Sequence, residues 1–363
     1  MNSKDRFIKA LNFEQTDRPP IYCSIVPQLA EKLSTYLHVP LEESIDSPLS
    51  GNRISWPELM IKLGSDVVCV ASCAPDNAKT YKRDDGLIIN EWGVGMRNHG
   101  LYDDFAYHPL ADVMTVDEIN AYKFPDINAP GRFSYAEKAI AKYGKEYGII
   151  GDLECSIFEA SWYMVGIEKL FIDMAMEEPY VDALFDKVAQ FHTKVGCKLV
   201  ELGADMIWCG DDLGSQCSPM ISVDMFQRYF KPRIKKMFAE FKKINPNIKI
   251  AWHSCGSILP FIPEFIEVGL DVLNPIQPLA SGMEPQWLKD TYGKSLVFFG
   301  GICVQELLPK STPSQIKEEV QRRIDILAKG GGYIIAPAHN IQADTPIENI
   351  LAFFDAVNNY SKL

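Results

Sequence analysis

The sequence lacks several features that would assign it to other classes of protein. It has no apolar run of about 18 residues, the length that crosses a bilayer. Its opening segment, MNSKDRFIKALNFEQTDRPP, has neither the apolar stretch nor the small-residue cleavage site of a secretory signal. Phosphate-binding loops, dinucleotide-binding fingerprints and the G-x-S-x-G elbow are also missing. We therefore expect a cytoplasmic protein without a membrane span, whose chemistry does not depend on these motifs.

Positive charge is scarce relative to negative charge. The chain has 36 lysine and arginine residues against 48 aspartate and glutamate residues, for a formal net charge of -12 at pH 7. Proteins that bind nucleic acid or anionic membranes through a general positive field have the opposite balance. We therefore expect neither kind of partner. The hydrophobic share of 47% is large enough for an extensive buried core.

Histidine is also scarce, with six residues, and the nine cysteines are odd in number. A chain of this length without a compact disulfide framework is typical of reduced thiols. Cysteines within apolar runs are expected to be buried and inert. A histidine or cysteine among polar residues at the end of a strand is therefore a stronger candidate for function than one within an apolar run.

Short apolar segments alternate with longer helical patterns along the whole chain. Parallel strands joined by crossover helices give this alternation, and eight of them favour a closed (β/α)8 TIM barrel over an open sheet. We therefore predict an α/β fold with one barrel domain over residues 1–363. The predicted strands are PPIYCSIV from residue 19, DVVCVAS from 66, YGIIGDLE from 147, ADMIWCGDD from 204, KIAWHSCG from 249, DVLNPIQP from 271, LVFFGGIC from 296 and GYIIAPAHN from 332.

The stretch from about 79 to 108 interrupts this rhythm. It contains an Asp-Gly turn flanked by alternating residues, which is typical of a β-hairpin. We predict a hairpin inserted after the second strand, where it would lie over the mouth of the barrel.

Polar and sulfur-containing residues are concentrated where the predicted strands end. A barrel carries its active site at the carboxyl ends of its strands, so these residues are the candidates for function. They are Ser72, Cys73, Asp152, Glu154, Asp211, Asp212, His253, Cys255, Asn274, Gln277, Cys303, His339 and Asn340.

His253 and Cys255 are two residues apart at the end of the fifth predicted strand. On an extended segment this spacing points both side chains to one face. Imidazole and thiolate are zinc ligands, and a catalytic zinc needs a third protein ligand plus an open position. Cys303 and His339, at the ends of the seventh and eighth strands, are the best suppliers of that ligand, and Glu154 is a weaker one.

The carboxylates at the strand ends have two interpretations. Asp211 and Asp212 could form a general acid and base pair or anchor a substrate, since adjacent buried carboxylates push their pKa values apart. Equally, a strand-terminal aspartate could cap the following loop. Glu154 and Glu159 could be catalytic, and one of them could equally be a residue favoured at a helix start. Four tryptophans could line a flat pocket or pack in the core, namely Trp92, Trp162, Trp208 and Trp252.

Four blocks of the sequence resemble the uroporphyrinogen decarboxylase superfamily, and together they extend over nearly the whole chain. They are KDRFIKALNFEQTDRPPIY, WCGDDLGSQCSPMISVDMFQRYFKPRIKKM, WHSCGSILPFIPEFIEVGLDVLNPIQP and IIAPAHNIQADTPIENI. The resemblance implies a barrel fold, and the superfamily contains two functional classes of enzyme. The decarboxylases bind a tetrapyrrole without metal, through N-terminal arginines, a loop aspartate, a tyrosine and a late histidine. The methyltransferases bind zinc through an H-x-C pair and a later ligand, usually cysteine.

Comparison with the two classes favours the methyltransferases. Tyr163 and His339 match the decarboxylase tyrosine and histidine, but the expected arginines and aspartate are replaced by RPPIYCSIV and ASCAPDN. His253 and Cys255 match the methyltransferase pair directly. The late cysteine is replaced in APAHN, so that either His339 or Cys303 would complete the site, or zinc binding is lost.

The resemblance thus implies a zinc-dependent methyltransferase that moves a methyl group between a small methylated substrate or thiol and a corrinoid. The corrinoid would be carried by a separate protein, because the chain has no D-x-H-x-x-G motif. Asp211, Asp212, Glu154 and Tyr163 are the expected catalytic residues, and Asn274 and Gln277 are expected to contact the cofactor. A metal-free decarboxylase of a tetrapyrrole or other polycarboxylate is the alternative, and a non-catalytic binding protein is a third. Family members often pair, so a homodimer is also expected.

Overall fold

The computed structural model describes residues 1–45, 52–78, 80–100, 103–153 and 155–360. Its centre is a parallel sheet of seven strands in the order β1-β6-β7-β8-β9-β10-β11, and a second sheet of four antiparallel strands follows the order β2-β3-β4-β5. The α/β class is thereby confirmed. The strands are β1 Val67–Ala71, β2 Tyr81–Lys82, β3 Ile88–Ile89, β4 Gly95–Asn98, β5 Asp103–Tyr107, β6 Gly148–Leu153, β7 Met206–Gly210, β8 Lys249–His253, β9 Val272–Ile276, β10 Val297–Ile302 and β11 Tyr333–Pro337.

Helices connect the parallel strands, as crossover connections require. Several begin with local signals that the sequence carries, such as the reciprocal Thr312 and Gln315 capping box of α14. No helix in the described part of the chain is long and apolar enough to cross a membrane. The α-helices are α1 Ser3–Leu11, α2 Pro27–Leu37, α3 Pro57–Leu63, α4 Val116–Ala121, α5 Ser134–Tyr143, α6 Phe158–Val165, α7 Ile167–Ala175, α8 Pro179–Leu202, α9 Val223–Met225, α10 Lys231–Ile244, α11 Ile262–Glu267, α12 Pro285–Tyr292, α13 Leu307–Lys310, α14 Pro313–Leu327 and α15 Ile347–Asn358; short turns of other helix types cover Asn52–Ile54, Phe226–Phe230 and Leu259–Phe261.

The strands of the parallel sheet are buried on both faces, which explains their nearly continuous apolar sequences. Alternate residues still belong to two different layers. Met206 and Trp208 of β7 pack in an inner cluster, whereas Ile207 and Cys209 pack with the helices in the larger outer cluster. This period of two assigns each strand residue to one face of the sheet.

The first of the eight predicted strands is not a regular strand in the structure. Residues 19–26 do not form a regular strand, and Ile21 forms only an isolated parallel bridge with Ile335 of β11. Pro19 and Pro20 have no N–H group to donate to a ladder, which prevents regular pairing at this point. Tyr22 N–H still donates to the Ile335 carbonyl at 3.1 Å, so the segment is hydrogen-bonded along β11.

A repeated aspartate contact connects this segment to β1. Asp66, which precedes β1, donates its backbone N–H to the Ile21 carbonyl at 2.9 Å and accepts the Ile21 N–H on its carboxylate at 2.7 Å. Segment 20–22 therefore links the last strand of the sheet to the start of the first. The same two bonds join Asp205 to Ile149 of β6 and Asp271 to Ile250 of β8.

The region predicted as one hairpin contains the four antiparallel strands β2 to β5. Two of them have only two residues, too short for a pattern of alternation to separate them in the sequence. Phe105 of β5 stacks on Tyr163 of α6, with ring centroids 3.7 Å apart. Nearby, Arg132 forms a 2.7 Å ion pair with Glu91 between β3 and β4. The first contact packs the small sheet against α6, and the second joins the loop between β3 and β4 to the turn before α5.

Candidate metal centre

The ends of β7 and β8 bring three potential metal ligands together. Gly210 of β7 lies beside His253 of β8 in the parallel register, so the residues that follow each strand are neighbours. One ligand atom from each of Asp212, His253 and Cys255 lies within 4.8 Å of the other two. We call these three residues the Asp-His-Cys cluster.

Distances within the cluster are short enough for one ion to contact all three side chains. His253 Nε2 lies 3.4 Å from Cys255 Sγ and 3.4 Å from Asp212 Oδ1. Asp212 Oδ1 also accepts the backbone N–H of Cys255 at 2.7 Å. The carboxylate therefore fixes the loop that carries the cysteine while facing the imidazole.

Asn274 determines which nitrogen of His253 faces the cluster. It lies beside His253 in the register of β8 and β9, and its Oδ1 is 2.6 Å from His253 Nδ1. The Asn274 amide nitrogen donates to the Phe299 carbonyl at 3.3 Å, so the oxygen is the atom that faces the imidazole. An amide oxygen can only accept, and Nδ1 therefore carries the proton and leaves Nε2 for a metal. The structure thus places Asn274, predicted as a cofactor contact, behind the histidine.

The loop around Cys255 is fixed by a glutamine chain and by close backbone packing. Gln277 Oε1 accepts the Gly256 N–H at 2.8 Å, and its amide nitrogen donates to Gln216 at 3.0 Å. Gly256 has φ +82°, and a Cβ there would lie 2.5 Å from the carbonyl of Gly214. Only glycine fits this position. Gln277, also predicted to contact a cofactor, binds protein groups that support the cysteine.

Asp211 faces away from the cluster despite being next to Asp212. It is fully buried, and its carboxylate accepts the backbone N–H groups of Ile157 and Glu159 at 2.9 to 3.1 Å. Burial raises the pKa of Asp211 to about 7, although these bonds to the backbone oppose the shift. These contacts favour the capping interpretation, because they hold the start of α6.

Tyr163 and Glu159 form a layer behind Asp212. Glu159 accepts the Asp212 backbone N–H at 3.1 Å and the Tyr163 hydroxyl at 3.3 Å. The Tyr163 side chain is buried under Phe105. Its hydroxyl is connected to the cluster through Glu159, so its predicted catalytic role stays a prediction. Glu154, the other predicted carboxylate, lies outside the described residues.

The charges of the cluster are strongly coupled. Burial would raise the pKa of Asp212, but the hydrogen bond and charge of His253 lower it to about 2. Burial also disfavours a charged imidazole, yet the Cys255 sulfur and the Asp212 carboxylate raise the pKa of His253. Burial and the Asp212 charge raise the pKa of Cys255 to about 11. The site therefore stabilises a positive charge at Nε2 of His253. That charge can be a proton on Nε2 or a metal ion bound in place of the proton.

Neither of the two predicted third ligands belongs to the Asp-His-Cys cluster. His339 lies near it, with its ring centroid 6.5 Å from that of His253, but is not one of the three mutually close residues. Burial and the charge of His253 lower the pKa of His339 to about 4. Cys303 accepts the backbone N–H of Glu306 at 3.4 Å in the turn after β10. Asp212, which the sequence suggested for proton transfer, takes the position nearest the pair.

A pocket of about 370 Å³, its open mouth included, adjoins the cluster at His253. Arg53 and Trp208 form part of its wall, and the Arg53 guanidinium lies 3.9 Å from the centroid of the Trp208 ring. The sequence named Trp208 as a candidate but carried no signal for Arg53, which lies in no predicted strand. The lining residues are Tyr22, Ser24, Arg53, Trp208, His253, Asn274, Pro337, Ala338, His339 and Asn340.

Three known proteins that are similar to this chain in sequence or structure are methyltransferases. The methylcobamide:CoM methyltransferase MtaA of Methanosarcina barkeri is 24% identical over 223 residues, and its counterpart from strain Fusaro is 22% identical over 219 residues. Each match covers 60% of this chain and 60% of the relative. A methyltransferase from Methanosarcina mazei superposes with a TM-score of 0.68 at 19% identity, covering 99% of this chain and 98% of that one, which indicates a shared fold.

The family assignment rests on a longer match. The sequence model of the uroporphyrinogen decarboxylase (URO-D) family matches residues 107–360, which include both Asp212 and the His253–Cys255 pair. This chain therefore belongs to the uroporphyrinogen decarboxylase family.

Proposed function

We propose that this protein is a zinc-dependent methyltransferase that moves a methyl group between a small methylated substrate or thiol and a corrinoid. The observation that carries the proposal is the Asp-His-Cys cluster, in which Asn274 holds the Nε2 atom of His253 toward a carboxylate and a thiol. The cluster lies where the parallel strands end, the usual position of a barrel active site.

The donor set fits zinc. One nitrogen, one sulfur and one oxygen ligand leave a fourth tetrahedral position open for a substrate. When bound there, zinc would act as a Lewis acid that lowers the pKa of a thiol or polarises the heteroatom of a methyl donor. Ligands of this kind bind in their deprotonated forms, so metal binding would release the protons of Cys255 and His253 Nε2. His339 or Cys303 as a further ligand remains a prediction.

Three other residues of the chain position the ligands of the cluster. Asn274 orients the imidazole, Gln277 holds the loop of Cys255, and Glu159 holds the backbone of Asp212. The carboxylate and the thiolate would together balance the two charges of zinc. The adjoining pocket would hold the body of the substrate beside the open position.

The corrinoid partner is proposed from the relatives. The Methanosarcina barkeri proteins are named methylcobamide:CoM methyltransferases, and the chain spans about 60% of their length. A separate corrinoid protein would dock at the strand ends. We further propose that residues 1–363 form one barrel, closed by segment 20–22 between β11 and β1.

The decarboxylase alternative receives less support from the pocket. Binding a polycarboxylate needs several positive side chains. Arg53 is the one lysine or arginine among the residues that line the pocket in the described part of the chain, and it is paired with Asp152 at 3.0 Å.

Metal analysis tests the proposal. Protein purified with zinc and then desalted should retain about one zinc per chain, and Cys255→Ser should lose it because a hydroxyl is a poor zinc ligand. Cys217→Ser is the matched control, because Cys217 is exposed in a nearby loop and is not part of the cluster. The proposal fails if wild-type protein binds no zinc, or if both variants retain it equally. Loss of methyl transfer from methylcobalamin to a thiol in Cys255→Ser alone would extend the result to activity.

A further inference from the structure

The pocket beside the metal centre contains a buried ion pair. Arg53 Nη2 lies 3.0 Å from Asp152 Oδ1, and Arg53 Nε lies 3.2 Å from Asp152 Oδ2. Arg53 is 8% exposed and Asp152 is 2% exposed. The paired geometry uses both carboxylate oxygens, so the positive charge at the pocket wall is already compensated by the protein.

The guanidinium is also held in place. Its central carbon lies 3.9 Å from the centroid of the Trp208 ring, and Trp208 packs at 5.2 Å from Phe299 and at 5.4 Å from Tyr22. A flat cation stacked on a packed ring and paired on one edge cannot turn toward a ligand without losing both contacts. Arg53 therefore stays with Asp152.

Among the described residues of the lining, there is no other lysine or arginine. Ser24 donates a short hydrogen bond to Asn340, and Asn274 is engaged by His253 and Phe299. In the proposed zinc form, the charges of Asp212 and Cys255 balance the metal. An anionic group in this pocket would lose its water and gain no uncompensated cation.

Two buried polar atoms of the lining have no hydrogen-bond partner in the described part of the chain, the Tyr22 hydroxyl and the Trp208 indole Nε1. The indole Nε1 of Trp208 is buried and forms no hydrogen bond in the described part of the chain. Trp208 itself is 3% exposed and lines the pocket. A buried donor without a partner is unfavourable, and an acceptor atom on a ligand would satisfy it.

We propose that the substrate held in this pocket is an uncharged small molecule with a hydrogen-bond acceptor, and that the Arg53–Asp152 pair selects against anionic substrates. This inference rests on the proposed function, because it describes the molecule that presents its sulfur or methyl group to the metal centre. Charge neutrality at the wall and the free Trp208 donor both favour such a ligand.

Two thiols of equal chain length test the selection. Isothermal titration of the zinc-loaded protein at pH 8 would compare 2-mercaptoethanol, which carries a neutral hydroxyl, with 2-mercaptoethanesulfonate, which carries an anion. We expect the neutral thiol to bind at least about tenfold more tightly, because the sulfonate must lose its hydration. Equal affinities, tighter binding of the sulfonate, or no binding of either thiol would overturn the proposal.

Asp152→Asn provides the matched variant. It leaves the Arg53 charge without its partner, and should shift the ratio of the two dissociation constants toward the sulfonate by at least about tenfold. Asp173→Asn is the control, because Asp173 pairs with Lys169 and is not part of the pocket lining. An unchanged ratio in folded Asp152→Asn protein would contradict the assigned role, and the wild-type comparison decides the proposal if this variant does not fold.

Zinc content, measured on each preparation, separates the two proposals. Bound zinc with a preference for the sulfonate would overturn the neutral-substrate inference and leave the proposed function intact. Protein that binds no zinc would overturn the proposed function, and with it the inference.

Discussion

Two aspartates at opposite ends of the parallel sheet, Asp66 and Asp212, have different environments. At the amino end, Asp66 accepts hydrogen bonds from Arg6, Arg18, Ser3 and the backbone of Ile21, and is 1% exposed. At the carboxyl end, Asp212 faces a histidine and a cysteine, and its side chain is 36% exposed. The first carboxylate is saturated by the protein, whereas the second lies among groups that can share one ion.

From this difference we expect the amino end of the sheet to contribute mainly to stability and the carboxyl end to the proposed function. At the amino end, the repeated contact of an aspartate with the neighbouring strand occurs at Asp66, Asp205 and Asp271, where cations are nearby. At the carboxyl end, soft and hard ligand atoms lie within 4.8 Å of one another. In barrels, the amino end of the strands supports the fold and the carboxyl end carries the chemistry. Variants at the two ends should therefore affect different measurements.

The largest expected effect is on stability at the amino end. Asp66→Asn removes the buried carboxylate that pairs with Arg6 and Arg18, and leaves Arg6 with only the exposed Asp17 as a carboxylate partner among the described residues. We expect the free energy of unfolding, measured by urea denaturation, to fall by about 3–5 kcal/mol.

Asp17→Asn is the control for this variant, because Asp17 also pairs with Arg6 but its side chain is 45% exposed. Its loss of stability should be clearly smaller, since solvent screens the exposed pair. Folded Asp66→Asn protein should bind zinc as the wild type does. Equal losses in the two variants would contradict the role given to the buried carboxylate.

An intermediate effect is expected on metal affinity at the carboxyl end. Asn274→Ala removes the acceptor for His253 Nδ1–H, so the imidazole is no longer held with Nε2 toward the cluster. We expect zinc affinity, measured by competition with a chelator, to fall by about 10- to 100-fold. Asn349→Ala is the matched control, because Asn349 is equally buried but donates to the carbonyls of Leu308 and Ser311. Unchanged zinc affinity in Asn274→Ala would show that the orientation of His253 does not depend on this bond.

The smallest effect concerns a cation at the amino end that has no carboxylate partner in the described part of the chain. Lys289 donates to the Gly331 carbonyl before β11 at 2.8 Å, and burial lowers its pKa to about 8. In the unfolded chain the pKa of this lysine is about 10.4. Between the folded and the unfolded pKa the unfolded state binds more protons than the folded state, so the free energy of unfolding should rise with pH over that range. Lys289→Met should remove this rise and slightly raise stability at pH 7. Urea denaturation at several pH values checks it, and a wild-type curve that is flat between pH 8 and 10 would contradict it.

Much of the site was predictable because it depends on local spacing. His253 and Cys255 lie two residues apart at the end of an apolar strand, and that pattern alone predicts a shared face. The alternation of strands and helices predicted the parallel sheet and its buried strands. The prediction of a regular first strand was wrong. Pro19 and Pro20 have no backbone N–H to donate, and the apolar pattern of the segment does not show this loss.

The partners of these residues were not predictable from spacing. Asp212 belongs beside His253 because β7 and β8 are adjacent in a particular register, and the sequence does not state that register. Asn274 and Gln277 were found by their position at a strand end, but the direction of their amides decides that they support the ligands. Arg53 and Asp152 are separated by 99 positions and meet only in the folded chain.

The sequence by itself determined the class of fold, and it placed the candidate residues, with His253 and Cys255 among them, at one end of the sheet. These depend on composition, period and spacing, which act over a few residues. Tertiary structure decided that Asp212 joins His253 and Cys255, and that Arg53 is neutralised by Asp152 at the pocket wall. Both outcomes depend on distances between side chains from separate strands and loops, and packing alone sets those distances.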